Sequence, residues 1–294
     1  MPKDLAPIDR NAPNVFYISA GTETSAGVIY QVDESGHVLG KVNLRYTASG
    51  MALHPTHGLI LAVPRDGGKI MQIDGAGKLS TLLDRDPTLP HPIDLATVGP
   101  SEALVVADNI TDTLIVTSMS GKKPRVLQRL EGDKYTSQGM SVAVTKDKQV
   151  VFSSDGKPGV FRFGPTQSIA DAKPVLPTSG GVAADPNSLR WAATQDPNLI
   201  YIYEADQMIK KLRLPPGKSI YRNGLLSFSS TGSLCVAVGD SDKDNGEVWL
   251  LMYDIEKDEV KSLFPWQQEP MQDFVAGPRM PWDRRAASGG KNTL

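Results

Sequence analysis

Leu225-Leu226-Ser227-Phe228-Ser229-Ser230-Thr231-Gly232-Ser233-Leu234-Cys235-Val236-Ala237-Val238 is two short apolar runs divided by a turn. The break at Ser229 to Gly232 is turn chemistry: hydroxyl side chains bond nearby backbone, and Gly supplies a positive φ. A polar loop, Asp240 to Glu247, follows, and Val248-Trp249-Leu250-Leu251-Met252-Tyr253 makes a third run. Strand, turn, strand, loop, strand within about 30 residues is one unit of an antiparallel sheet.

The same unit recurs on the N-terminal side of this stretch. Ser49 to Leu53, Gly58 to Val63, Lys69 to Ile73 and Lys78 to Leu83 form one complete copy, with Asp74-Gly75-Ala76-Gly77 as its closing turn. Pro92 to Ala96, Ala103 to Asp108, Thr113 to Thr117 and Arg125 to Leu127 form the next. Further copies open at Gln138, at Asn187 and at Asn223. These openings are roughly 35 to 50 residues apart, the spacing of repeated four-stranded units arranged radially. No segment sustains an i, i+3, i+4, i+7 apolar pattern over three turns, and Ser168 to Lys173 offers one helical turn at most. The first set, from Asn14 to Val42, lacks an opening strand, and a lone strand-like run, Gln272 to Ala276, stands one period beyond Asn223. If that run completes the first unit, the two ends of the chain close a circle and hide its sheet edges. The expected fold is all-β: a six-bladed β-propeller of four-stranded antiparallel blades over residues 14–277, its ring closed by N- and C-terminal strands. Residues 1–13 form an N-terminal extension and 278–294 a C-terminal tail.

Composition limits the function classes. The chain has 294 residues, 27 Gly and 22 Pro, a turn-rich count that suits many short strands. A formal net charge of -2, with 22% charged residues, gives no reason to expect nucleic acid as a partner. The one cysteine, Cys235, lies in an apolar run, so no disulfide supports the fold and a buried, inert thiol is expected. The start has no basic-then-apolar signal segment, and no apolar run approaches the ~18 residues of a membrane helix. The expectation is a soluble, cytoplasmic or assembly-associated protein without membrane insertion.

Two phrases carry a resemblance. Leu104-Val105-Val106-Ala107-Asp108-Asn109 looks like the core of NHL repeats, and Asn223-Gly224-Leu225-Leu226-Ser227-Phe228-Ser229-Ser230-Thr231-Gly232 is similar to a phrase of the senescence-marker (SMP-30)/gluconolactonase propellers. The resemblance covers residues 14–277 through short motifs that recur in many propellers, so it speaks for fold more than for activity. It implies a central channel and, in the lactonase group, one divalent cation (Ca2+ or similar) held there by oxygen ligands. Asn223 matches the motif position of one such ligand, and Asn187 and Asp273 are expected beside it from their place in the blades. Ser49 and Gln138 are expected to line the channel from the first positions of two inner strands. This set offers one carboxylate and no Glu, whereas a hard cation prefers several carboxylates. The other reading is that these side chains cap strand ends and hold channel water.

Other clusters read as turns or loops. Asp240-Ser241-Asp242-Lys243-Asp244-Asn245-Gly246-Glu247 alternates Asp residues, but its Gly comes one residue late for a calcium loop and Leu251 stands where the bidentate Glu belongs. His54, His57 and His91 sit near turns with no Cys to complete a metal set. Neither a G-x-S-x-G context nor a phosphate-binding Gly loop is found. Beyond the last blade the tail is basic, and Trp282, Arg284 and Arg285 are side chains of the types favoured as interface anchors. Two functions therefore stand side by side. One is a non-catalytic propeller, without cofactor, that binds a protein partner or neighbouring copies in an assembly. The alternative is a metal-dependent lactonase or esterase whose cation activates water.

Overall fold

The computed structural model describes residues 12–22, 25–99, 103–110, 113–118, 125–129, 140–154, 159–164, 173–177, 180–222, 224–240, 247–280 and 282. They form six antiparallel blades. Blade 1 combines β1 (Asn14–Ala20), β2 (Val28–Asp33) and β3 (Val38–Asn43) with β25 (Met271–Pro278). Blade 2 is β4 (Gly50–His54), β5 (Gly58–Val63), β6 (Lys69–Ile73) and β7 (Leu79–Asp84). Blade 3 is β8 (Pro92–Thr97), β9 (Ala103–Asp108), β10 (Thr113–Ser118) and β11 (Arg125–Arg129). Blade 4 is β12 (Met140–Val144), β13 (Val150–Ser154), β14 (Val160–Phe163) and β15 (Pro174–Leu176). Blade 5 is β16 (Val182–Ala184), β17 (Arg190–Asp196), β18 (Leu199–Glu204) and β19 (Gln207–Arg213). In blade 6, β20 (Lys218–Ile220) and β21 (Leu226–Phe228) share the inner position against β22 (Leu234–Asp240), followed by β23 (Val248–Asp254) and β24 (Glu259–Trp266).

The inner strands touch in the order β25, β4, β8, β12, β16, β21 and back to β25, which closes the ring. β25 pairs with β1, Asn14 opposite Pro278 and Ser19 opposite Asp273, so the last strand of the chain supplies the first blade's inner strand. The lock continues past β25. The Tyr17 hydroxyl donates to Pro278 O at 2.8 Å and accepts from Met280 N at 2.8 Å, and Gln31 donates to Met280 O at 2.9 Å. Burial pushes the Tyr17 phenol up to about 12, so it stays neutral and keeps its donor.

A flat sheet buried on both faces needs apolar side chains in both phases of its period. β5 shows this: Leu59, Leu61 and Val63 face blade 1, while Ile60 and Ala62 face blade 3. The core is therefore not one centre but six seams, one between each pair of neighbouring blades. Cys235 is fully buried in the seam between blades 6 and 1, and burial pushes its thiol well above the ordinary range.

Blade 5 begins elsewhere than the sequence predicts. Its inner strand is Val182–Ala184, and Asn187 stands in the turn between β16 and β17. The run from Asn187 to Trp191 joins a turn to the start of a second strand. The true inner strand follows Gly180-Gly181 and is built of small residues, because its backbone lies against the next blade: a Cβ on Gly181 would stand 1.5 Å from Gly224 O. The short helical turn expected at 168–173 and most of the loop 240–247 lie outside the described residues.

Candidate functional site

All six inner strands run the same way through the ring. Asp94, near the start of β8, meets Val142 in β12, and Thr97, at the end of β8, meets Leu53 near the end of β4. The channel they enclose has a volume of about 1080 Å³. Its upper mouth is where the inner strands begin and its lower mouth is where they end.

Inner strands converge so closely that their channel-facing amides have few backbone partners, and polar side chains take that role. The Asp94 carboxylate accepts the N–H of Leu95 at 2.8 Å and that of Val142, in blade 4, at 2.8 Å. Asp273 does the same between blades 1 and 2, accepting the N–H of Phe274 and of Met51. Ser141 accepts from Val182 N at 3.2 Å, and Ser227 from Ala276 N at 3.0 Å. Ser49 lines the channel and donates to Pro92 O at 3.3 Å. Each of these side chains makes a contact that joins two adjacent blades. Gly50 makes room for the arrangement, since a Cβ there would stand 2.5 Å from the Asp94 Cα.

The two carboxylates are partly open to the channel, yet they sit deep in the ring and far from bulk water. Depth governs their ionisation. Burial raises Asp94 to about 7, against the pull of the Val142 and Leu95 amides and the Ser141 hydroxyl. Burial also raises Asp273 well above its usual range, and the nearby charge of Asp94 adds to the effect. Near neutral pH the two acids therefore carry fewer than two negative charges between them.

Above this pair, the upper mouth collects Arg65, His91, Asn109, Arg222 and Gln272. His91 Nδ1 lies 2.7 Å from Asn109 Oδ1, which orients the ring, and its backbone N–H donates to Asp108 at 2.6 Å. Arg222 donates to Gln272 at 2.7 Å, and Gln272 in turn donates to Gly21 O at 2.7 Å.

Two of the expected cation ligands, Asn187 and Asp273, are not brought together. Asp273 lies near the upper mouth. Asn187 lies at the lower mouth, where its amide donates to Ser230 O at 3.1 Å and its carbonyl accepts from Lys146 at 3.0 Å. Its displacement follows from the shifted start of blade 5. Asn223 lies outside the described residues, as do Gln138, Arg284 and Arg285. Among the described residues no three His, Cys, Asp or Glu side chains converge as a metal group would require. Asn187 and Asp273 thus lie toward opposite mouths of the channel.

Trp282, expected to anchor on another chain, packs on its own. Its indole lies against the Tyr17 ring at 5.3 Å and over Gly40 and Gly77, and it belongs to the seam between blades 1 and 2. Two glycines make the seat, a feature that no local reading of the tail contains. His54, the buried last residue of β4, holds the turn that follows: its Nδ1 accepts the backbone N–H of Thr56 and of His57, each at 3.2 Å. The sequence singled out neither Asp94 nor Arg222, and His91 was expected only as a turn residue. For Asp94 the signal was present, a carboxylate inside the otherwise apolar strand Pro92-Ile93-Asp94-Leu95-Ala96.

No family model and no curated protein sequence matches the chain. Solved structures do. The chain is similar to a structure from a nidogen/laminin complex, with a TM-score of 0.61 at 12% identity over 90% of this chain and 98% of that one. It is also similar to the periplasmic gluconolactonase PpgL of Pseudomonas aeruginosa, with a TM-score of 0.57 at 15% identity over 86% and 83% of the two chains. A protein of unknown function from Bacteroides caccae gives a TM-score of 0.62 at 12% identity over 90% and 99%. At these identities the likeness is one of fold. The fold is a six-bladed β-propeller.

Proposed function

We propose that this protein is a non-catalytic binding propeller, a component that docks another protein. One observation carries the reading. Asp94 and Asp273, the carboxylates placed where a channel cation would be expected, each bridge an amide of their own strand to an amide of the next blade. Oxygens engaged in this way pin the ring together, and a cation would have to compete with the amides for them. Similarity in fold to a laminin-complex structure is compatible with such a role and does not by itself assign it.

The lactonase reading remains the alternative outcome, because the channel is large enough for a small ligand and holds two deep acids. Metal content of protein purified without chelator separates the two, measured on the wild type and on Asn223→Ala and Asp273→Asn variants. The binding-propeller reading expects no stoichiometric metal in any of the three. About one equivalent of calcium, zinc or manganese, lost in either variant, would overturn it in favour of metal-assisted hydrolysis.

A further inference from the structure

Seven large apolar side chains stand exposed among the described residues, and five of them lie on blades 5 and 6: Leu189, Met208, Ile209, Val260 and Leu263. Two of the five are on β19, the outermost strand of blade 5, which pairs with β18 on one side only. Its ladder shows which backbone groups are left over. Leu214 N donates to Asn198 O at 3.0 Å, and Leu212 stands opposite Ile200. Bonded positions alternate in an antiparallel pair, so the N–H and C=O of Lys211 and Arg213 point away from β18.

The chemistry around this edge is basic. Beside it runs a cleft of about 710 Å³ lined by Lys210, Lys211, Arg213 and Lys218. Lys210 and Lys218 have carboxylates of their own, Asp258 and Asp240, each at 2.6 Å. Lys211 instead lies over the Tyr201 ring at 5.2 Å, and no carboxylate of the described residues forms an ion pair with Lys211 or Arg213. Three other blade edges are less suited. β15 has three residues, β24 carries Pro265 and mixes Glu259 with Lys261, and the segment ending in Trp282 packs against β3 at Gly40.

We propose that the outer edge of β19 receives an extended acidic segment of a partner protein as a fifth strand of blade 5. The inference rests on the binding-propeller reading and names the partner's chemistry. Backbone bonds to Lys211 and Arg213 would supply affinity, alternate acidic side chains would meet their cations, and Met208 and Ile209 would take apolar neighbours. The same cations disfavour a second copy of this chain at the site, since an identical edge would bring like charges together.

The test uses the intact protein and a fluorescein-labelled decapeptide of alternating glutamate and valine, followed by fluorescence anisotropy. A lysine–valine peptide is the control. Expected are saturable binding of the acidic peptide, a loss of about tenfold or more in Lys211→Glu/Arg213→Glu, and weakening by salt. Lys211→Gln/Arg213→Gln, a milder change, should weaken binding less while the fold is checked by circular dichroism. Amide exchange should slow at Lys211 and Arg213 and stay unchanged at Leu212, whose N–H already faces β18. Absence of saturable binding, equal binding by the charge-reversed variant, or equal binding of the lysine peptide overturns the proposal. So does a wild-type dimer that Met208→Asp/Ile209→Asp converts to monomer, because the occupant would then be a second copy. Metal content of the same samples reports separately on the binding-propeller reading.

Discussion

Replacing Asp94 by Asn should change the pH dependence of stability in a direction that the buried carboxylate fixes. Asp94 titrates near 7 in the folded ring against 3.8 as a free side chain, so between those values the folded state holds a proton that the unfolded chain has lost. Stability rises with pH only where the unfolded state binds more protons, and here the folded state does. This group's contribution is therefore greatest at acid pH and declines as pH rises from about 4 to about 7. At 1.36 kcal/mol per pH unit, ionising Asp94 costs the wild type about 2 to 3 kcal/mol between pH 5 and pH 8. An asparagine has no proton to lose. It also has one acceptor oxygen for two amides, Leu95 and Val142, and leaving one unbonded costs about 1 to 3 kcal/mol at any pH. Asp94→Asn should thus be less stable than wild type at pH 5 and regain about 2 to 3 kcal/mol relative to it by pH 8. At about 2 to 4 °C per kcal/mol for a domain of this size, thermal denaturation at several pH values resolves the change. Parallel curves of Tm against pH for wild type and variant would refute the assignment of a raised Asp94.

Three further expectations follow from packing. Gly181→Ala would drive a methyl to within 1.5 Å of Gly224 O across the seam of blades 5 and 6. Backbone rather than a flexible side chain must yield, so a loss of about 3 kcal/mol or more in urea denaturation is expected, and a neutral outcome would deny the close approach. Trp282→Ala removes an indole from the seam of blades 1 and 2 and should cost about 3 to 5 kcal/mol, whereas an indole docked only on a partner would leave the monomer's urea midpoint unchanged. The Cys235 thiol should resist a thiol reagent in the native protein and react at once in denaturant; rapid native labelling would contradict its burial.

The ring was legible because its signals are local and repeated. Each unit carries apolar runs that are buried on both faces and turn residues that need a positive φ, such as Gly77 at φ 84° and Gly232 at φ 79°. Closure was legible from an asymmetry, the missing first strand in the Asn14 to Val42 set and the lone run from Gln272 to Ala276, now paired as β25 and β1. The fifth inner strand was not legible. Its Gly180-Gly181-Val182-Ala183-Ala184 has little apolar bulk, because bulk is what the contact with Gly224 excludes. That one displacement moved Asn187 to the lower mouth, away from Asp273. Trp282 was expected to dock on another chain, but it packs within its own, on a surface assembled from Gly40 and Gly77, far away in sequence and silent in any pattern of side chains.

A channel surrounded by inner strands poses a problem that explains its acids. Amides of Met51 and Val142 face a space in which no sheet partner stands, and a buried N–H left unbonded costs more than most single contacts return. A carboxylate accepts two such donors at once, one from its own strand and one from the next blade. A serine hydroxyl accepts one, as Ser141 and Ser227 do. Using two carboxylates within electrostatic reach of each other brings like charges together in a poorly solvated place, and the shared relief is to hold protons to near-neutral pH. On the binding-propeller reading the raised pKa values are a by-product of joining blades rather than a device for general acid catalysis. The two origins differ in one respect that can be measured. A carboxylate held up by a charged neighbour relaxes when that neighbour is made neutral, so Asp94→Asn should lower the Asp273 titration while leaving a folded ring, as followed by NMR of the Asp273 carboxyl carbon. An Asp273 titration that stays put after that change would mean the two acids do not act on each other.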